Sequence, residues 1–173
     1  PCDSIERKKL IKQVNNLTGP VYVRIARGGD KIISSETEKI RFGKASIKKK
    51  PGEFLFLTTG VMTQVALEAS EILKKRNKYA GVIHFGTIKP LDGNILKRWL
   101  PKVKKVITVE ENVLNGGFGS SILEYVSDNF PSELSKIKRV GLQDKFTEKY
   151  GSQDELFKKY NLTAKFLVKK ITS

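Results

Sequence analysis

The chain has 173 residues and a mass of 19.5 kDa, with 39% hydrophobic and 29% charged side chains. This composition is typical of one globular domain and excludes a disordered chain, and the single cysteine, Cys2, excludes a disulfide scaffold. The net charge of +15 favours a polyanionic partner, but the lysines are spread over every segment, so we do not expect dedicated nucleic-acid binding. Because no stretch approaches the roughly 20 apolar residues of a membrane helix, we expect a protein of the reducing cytoplasm.

The N-terminal segment predicts a helix, a strand and a linker. Apolar residues keep helical spacing over 5–17, and Thr18-Gly19-Pro20 ends this helix. Residues 21–26 (VYVRIA) are predicted to form a strand. The following residues, up to Pro51-Gly52, are polar with only short apolar pieces, which indicates a linker between two units. Because Pro1 stands where an initiator methionine is expected, we expect this chain to be a piece of a longer protein.

From residue 54 onwards, strands and helices alternate. Strands are predicted at 54–59, 81–85, 106–109 and 137–142, and helices at 61–76, after 90–92, after 116–119, at 153–160 and at 164–171. Because the first strands are continuous apolar runs, the alternation predicts an α/β fold: a three-layer open sheet, mostly parallel, with helices on both faces. Any ligand crevice is expected at the carboxyl ends of the strands, near 59–60, 85–86 and 109–110.

Two polar motifs follow the third of these strands. The turn Gly116-Gly117-Phe118-Gly119-Ser120 lies between a strand and a helix, where backbone amides can cradle a phosphate. It lacks the third glycine of a dinucleotide fingerprint, because position 122 is Ile, so we favour a tight structural turn. Glu110-Glu111 is compatible with an acid/base pair, a metal ligand or a helix-capping group, and the sequence leaves all three roles open.

Four further side chains are candidates for chemistry. His84 is the only histidine, at the end of an apolar strand, so a structural, hydrogen-bonded role is favoured over a catalytic one. Cys2 has no sequence sign of a nucleophile's environment. Arg24 and Arg27 flank the end of the predicted strand at 21–26, before a Gly-Gly turn. An arginine there can bind phosphate or carboxylate through its planar fork, but spacing alone equally fits a surface arginine.

Four stretches together resemble the C-terminal end of transketolase-type thiamine-diphosphate enzymes. They are GPVYVRIARG at 19–28, TIKPLD at 87–92, VEENVLNGGFGSSILE at 109–124 and YGSQDELFKKYNLTA at 150–164. In order and spacing they span nearly the whole chain. The resemblance implies that residues 1–27 are the last helix and strand of a pyrimidine-binding domain, that 28–52 are a linker, and that 53–173 are a complete C-terminal domain with a sheet of about five strands.

The resemblance also implies an activity for the intact enzyme. Family members transfer a two-carbon ketol unit between sugar phosphates, with thiamine diphosphate and a divalent metal such as Mg²⁺. The residues that bind this cofactor and metal belong to domains outside this chain. We therefore expect no catalytic residue, no cofactor and no metal on this piece, and no activity from it alone. Only Arg27 carries over, as the arginine that contacts a substrate phosphate.

The resemblance implies that the C-terminal domain packs against the other domains and the dimer mate. A regulatory role of this domain is a further expectation from the resemblance. The Gly-Ser ending and the Tyr-x-Leu-Thr close at 160–163 favour transketolase. VRIARG also resembles the pattern of 1-deoxy-D-xylulose-5-phosphate synthases, which are the first alternative. The sequence is also compatible with a stand-alone basic interaction domain and with a separately encoded subunit that assembles with a partner chain.

Overall fold

The computed structural model describes residues 1–26, 30–146 and 150–173. Its sheet consists of the strands Ser46–Lys49 (β1), Phe54–Thr58 (β2), Ala80–His84 (β3), Lys105–Val113 (β4) and Ile137–Leu142 (β5). The strands lie side by side in the order β1-β3-β2-β4-β5. β2 is parallel to both β3 and β4, and β4 is parallel to β5, whereas β1 is antiparallel to β3. The predicted mostly parallel sheet of about five strands is confirmed.

Helices cover both faces of this sheet. They are Ser4–Val14 (α1), Met62–Lys74 (α2), Gly93–Trp99 (α3), Phe118–Asn129 (α4), Gln153–Lys159 (α5) and Ala164–Thr172 (α6), with short 3₁₀ turns at Leu100–Lys102 and Pro131–Lys136. α2 and α6 pack on one face of the sheet, and α3 and α4 pack on the other. Every residue of β2 and β3 is buried, which explains why these strands are continuous apolar runs. The α/β class and the three layers are therefore confirmed.

Two local expectations differ from the structure. Ser46–Lys49, within the segment predicted as a linker, forms the edge strand β1. This strand is mostly polar because only one neighbour, β3, pairs with it, so its sequence carries little strand signal. Residues 21–26, for which the sequence predicts a strand, join no sheet among the described residues. A strand requires a hydrogen-bonding partner, and the described part of the chain provides none for this segment.

Helix α1 is bound to the segment that follows it. The Asp3 carboxylate caps α1 by accepting from the Glu6 amide (2.9 Å), and it also accepts from the amides of Ile33 (2.9 Å) and Ser34 (2.6 Å). Lys9 donates to three backbone carbonyls of that segment, at residues 35, 36 and 38. These contacts hold α1 against residues 33–38. No helix in the described ranges is long and apolar enough to cross a membrane.

Candidate functional site at the carboxyl edge of the sheet

A cleft of about 1040 Å³ opens at the carboxyl ends of the parallel strands. One wall consists of α1 and residues 20–26, and the other consists of the loops after β2, β3 and β4. Thr59, Gly60, Gly86 and Glu110 line it, at the strand ends where the sequence predicted a crevice. The cleft is thus a consequence of parallel topology, since parallel strands bring their carboxyl ends to one edge of the sheet.

Charged side chains of both signs line the cleft. Arg7, Arg24 and Lys89 contribute positive charges, and Glu110 and Glu111 contribute carboxyl groups. The Arg24 guanidinium donates across the cleft to the Glu111 carbonyl oxygen, at 3.4 Å. This contact joins the segment at 20–26 to the loop that follows β4.

Arg27, the residue predicted to contact a substrate phosphate, lies outside the described residues. Its phosphate contact therefore stays a prediction. Arg24, three residues earlier, is described and exposed, and it carries the positive charge of this segment into the cleft.

The glycine turn before α4 is filled by a side chain of the protein itself. The Glu110 carboxylate accepts from the amides of Phe118 (2.6 Å) and Gly119 (2.8 Å), in the first turn of the helix. A Cβ at Gly117 would collide with this carboxylate and with the Val113 carbonyl. The glycine permits close packing around Glu110, which supports the structural interpretation of this turn.

Glu110 and Glu111 have different surroundings despite being adjacent. Glu110 is fully buried, and burial raises the pKa of its carboxyl group, although the two amides and Arg139 partly oppose this. Glu111 points to the cleft surface, where its Oε1 accepts from Gln153 Nε2 at 3.3 Å. Of the three roles that the sequence leaves open, Glu110 has the helix-capping role, because its carboxylate accepts from two amides in the first turn of α4.

His84 lies in a buried hydrogen-bonded chain. Its Nε2 donates to Glu6 Oε2 at 2.8 Å, and its Nδ1 is 2.8 Å from Thr63 Oγ1. Both His84 and Glu6 are at most 1% exposed. Burial alone raises the pKa of Glu6, but the hydrogen bond and charge of His84, aided by the Cys2 amide, lower it to about 2. The structural role favoured for His84 agrees with these contacts.

Sequence reasoning missed Glu6. The two partners are 78 residues apart, and Glu6 is one of several charged residues on α1, so no local pattern marked it. Cys2 is buried beside this pair, with its Sγ 3.7 Å from Ser34 Oγ. Burial, with the Glu6 charge, raises the pKa of the Cys2 thiol, which agrees with the absence of a nucleophilic role.

Among the described residues that line the cleft, few carboxylates could hold a diphosphate through Mg²⁺. Mg²⁺ is usually held by one or two carboxylates together with phosphate oxygens, and both carboxylate oxygens of Glu110 accept from backbone amides. Glu111 is then the remaining carboxylate among the described residues that line the cleft. Elsewhere in the described ranges, Cys2, Glu6 and His84 form a group of potential ligand atoms within 4.8 Å of one another.

The sequence and structure were compared with those of known proteins. The model of the transketolase C-terminal domain family matches residues 43–166. The 6-deoxy-6-sulfo-D-fructose transketolase subunit SqwH of a Clostridium species is 36% identical over 98% of this chain and 51% of that protein. The putative transketolase C-terminal section of Methanocaldococcus jannaschii is 34% identical over 99% of this chain and 53% of that protein. The 1-deoxy-D-xylulose-5-phosphate synthase of Clostridium tetani is 32% identical over 88% of this chain but 24% of that protein.

A solved structure described as a split gene transketolase, inactive beta4 tetramer, superposes with a TM-score of 0.91 and 29% identity, over 99% of this chain and 55% of that chain. A Pichia stipitis transketolase shares the fold over 75% of this chain, with a TM-score of 0.55 and 16% identity. The chain spans about half the length of the transketolase subunit and section that it matches. The family model, which covers most of the described residues, places this chain in the family of transketolase C-terminal domains.

Proposed function

We propose that this chain is the C-terminal part of a transketolase-type transferase, which moves a two-carbon ketol unit between sugar phosphates with thiamine diphosphate and Mg²⁺. One observation carries the proposal: similarity to transketolase subunits and sections continues over 98–99% of this chain. Bound thiamine diphosphate supplies the carbanion chemistry in such an enzyme. In this proposal the residues of this chain hold no part of that cofactor, which is bound by the domains outside it.

The domain division is part of the proposal. Residues 1–27 complete a pyrimidine-binding domain, 28–52 connect it, and 53–173 are the C-terminal domain. The exposed side chains of Tyr22 and Ile25, at 89% and 51%, support this division, because apolar groups in an extended segment are usually covered by a neighbouring strand. The rest of the enzyme and a dimer mate would provide that cover.

Arg27 is proposed to bind a substrate phosphate. It directly follows the segment at 20–26, which lines the cleft, and its residue type suits bidentate recognition of a phosphate. The guanidinium would position the sugar phosphate and would hold its charge without transferring a proton, because arginine stays protonated at neutral pH.

The test uses the intact enzyme, with Arg27→Ala and, as a matched control, Arg76→Ala, an exposed residue in the turn after α2. We expect Arg27→Ala to raise KM for phosphorylated sugars about 100-fold, as loss of a charge-assisted bidentate contact predicts, with little change for unphosphorylated sugars. Arg76→Ala is expected to behave as wild type. An equal effect of Arg27→Ala on both kinds of sugar would remove it from the phosphate site.

The piece alone is expected to be inactive. Calorimetric titration of the isolated chain with thiamine diphosphate and Mg²⁺ is expected to give no binding heat. Micromolar affinity of this piece for the cofactor would contradict the proposal that the cofactor-binding residues belong to other domains. Sequencing the coding DNA upstream of Pro1 adds a second test, since we expect an in-frame pyrimidine-binding domain there.

A 1-deoxy-D-xylulose-5-phosphate synthase is the second candidate, because such enzymes are 31–35% identical to this chain. Release of carbon dioxide from pyruvate by the intact enzyme would identify the synthase, and ketol transfer between sugar phosphates would identify the transketolase. A separate subunit that assembles with a second chain is also compatible with the split gene relative. The stand-alone basic domain is not favoured, because the similarity to transketolases is almost continuous.

A cytoplasmic location is part of the proposal and rests on the single free cysteine.

A further inference from the structure

The only cysteine and the only histidine of the chain meet in one buried cluster. Cys2, Glu6 and His84 are each at most 2% exposed, and their potential ligand atoms all lie within 4.8 Å of one another. The three residues come from the start of the chain, the first turn of α1 and the end of β3. Neither the family comparison nor the proposed activity uses this cluster.

His84 makes a hydrogen bond through each of its two ring nitrogens. Thr63 Oγ1 lies 2.9 Å from the Gly60 carbonyl oxygen and 2.8 Å from His84 Nδ1, so the Nδ1 side of the imidazole is occupied by a hydrogen bond within the protein. The Nε2 of His84 faces the Glu6 Oε2, 2.8 Å away, and a proton on Nε2 joins these two atoms. A metal ion bound to both atoms can take the place of that proton.

The ligand types select the metal. Thiolate, imidazole nitrogen and carboxylate oxygen together suit Zn²⁺ and related ions such as Co²⁺, and they do not suit Mg²⁺ or Ca²⁺. The two negative charges of a Cys2 thiolate and the Glu6 carboxylate neutralise a divalent ion. Thr63 would orient the imidazole through Nδ1, which is the role that hydrogen-bonding partners of metal-bound histidines usually have.

We propose that Cys2, Glu6 and His84 form a binding site for one Zn²⁺-type ion, in exchange for protons. On binding, the Cys2 thiol proton is released to solvent, the metal takes the position of the proton on His84 Nε2, and the neutral imidazole keeps one proton on Nδ1, which donates to Thr63 Oγ1, so at least one proton is released per ion. Ligands about 2.0–2.1 Å from a tetrahedral Zn²⁺ lie about 3.3 Å apart, so the 2.8 Å contact opens by about 0.5 Å. This inference is independent of the proposed ketol transfer.

The charges around the cluster are compatible with this exchange. The Asp3 carboxylate, beside Cys2, is bound to backbone amides and adds negative charge. The Lys48 ammonium, which faces the same region through Ser34 (2.9 Å), opposes a cation. Glu38 pairs with Lys48 at 2.7 and 2.8 Å and compensates its charge.

The test is a Co²⁺ titration of the full 173-residue chain, purified without a histidine tag and under reducing conditions. We expect one ion per chain, a thiolate-to-Co²⁺ charge-transfer band, displacement of Co²⁺ by Zn²⁺, and release of at least one proton per ion in weakly buffered solution. Thr63→Val, which keeps the side-chain shape, is expected to weaken binding about 10–100-fold.

Cys2→Ser and His84→Asn test the ligands, and Glu36→Gln, an exposed carboxyl on the neighbouring segment, is the matched control. Cys2→Ser is expected to abolish the charge-transfer band while the circular dichroism spectrum stays unchanged. His84→Asn is expected to weaken binding more than Thr63→Val does, and Glu36→Gln is expected to bind as wild type. If the folded wild-type chain bound neither Co²⁺ nor Zn²⁺ stoichiometrically, the cluster would hold only protons and the proposal would be overturned. Metal binding that persists in both the Cys2→Ser and the His84→Asn variants would also overturn the proposal.

Discussion

Glu110 connects the end of β4 to the first turn of α4 through two backbone amides. The packing around its carboxylate leaves no space for a side chain at Gly117, where a Cβ would meet both Glu110 and the Val113 carbonyl. The φ of Gly117 is −81°, so the requirement for glycine there comes from space and not from backbone conformation.

Gly117→Ala is expected to lower the free energy of unfolding by about 3 kcal/mol, because overpacking forces Glu110 or the backbone to move. Gly116→Ala is the matched control. Gly116 has a φ of +67° and no atom within 4 Å of a new Cβ, so only its backbone strain, about 1 kcal/mol, is expected. Urea unfolding measures both variants. A Gly117→Ala variant no less stable than Gly116→Ala would show that the turn relaxes freely.

Glu110 is expected to titrate above the ordinary glutamate pKa, since burial raises its pKa. Ionisation then costs more in the folded chain than in the unfolded chain. The stability that Glu110 contributes is therefore present below the unfolded pKa and is lost as pH rises through the folded pKa. Carboxyl NMR titration measures this directly. Glu155 is an internal comparison, because its hydrogen bonds from Ser152 lower its pKa. A Glu110 pKa at or below that of Glu155 would contradict this prediction.

At the scale of single residues, the sequence indicates which residues are candidates for a polar role better than it indicates which residues they contact. His84 is recognisable as a polar residue in an apolar strand, and Glu110 as an acid at a strand end. Glu6 is not recognisable, because its partner lies 78 residues away and only the fold brings them together. Arg27 lies outside the described residues, so its assignment stays a prediction.

Among the elements, the buried strands are predictable and the edge strand is not. β2 and β3 are apolar at nearly every position because helices cover both their faces. β1 (SIKK) has one apolar residue, Ile47, and it becomes a strand through pairing with β3. Residues 21–26 carry a strong strand pattern, yet a pattern alone does not provide the neighbouring strand.

Helix α6 is held to the sheet through its apolar face. Leu167 is fully buried in the core layer that also contains Leu73 of α2. Leu167→Ala is expected to lower the free energy of unfolding by about 2–5 kcal/mol, through lost burial and a residual cavity. Lys165→Ala, on the exposed side of the same helix, is expected to change it by less than about 0.5 kcal/mol. Thermal unfolding of the two variants should differ clearly, and similar values would mean that α6 is docked weakly.

In the whole molecule, α1 is part of the same packed body as the sheet. Asp3, Glu6 and Lys9 bind it to residues 33–38 and to His84. Although the proposed domain division assigns α1 to the preceding domain, its hydrogen bonds connect it to the C-terminal domain. We therefore expect α1 to be coupled energetically to the sheet across the proposed domain boundary.

Glu6→Ala tests this coupling. Removing one partner of a buried pair leaves His84 without its acceptor, so we expect a loss of about 3–5 kcal/mol in the free energy of unfolding. Amide hydrogen exchange is expected to increase both in α1 and at the end of β3. Glu36→Ala, in the exposed part of the adjoining segment, serves as the control and is expected to have little effect. Increased exchange confined to α1 would mean that the helix is attached to the sheet only loosely.

The edge strand β1 has a consequence for how this protein assembles. It is four residues long, its register shifts between Ile47 and Lys49, and Lys50 and Pro51 follow it directly. Short length, irregular register, lysines and proline each disfavour the addition of a strand from another chain. This side of the sheet is thereby protected against growth into a continuous intermolecular sheet. We accordingly expect contacts between this chain and other polypeptides through its helices and loops, and not through this edge of the sheet.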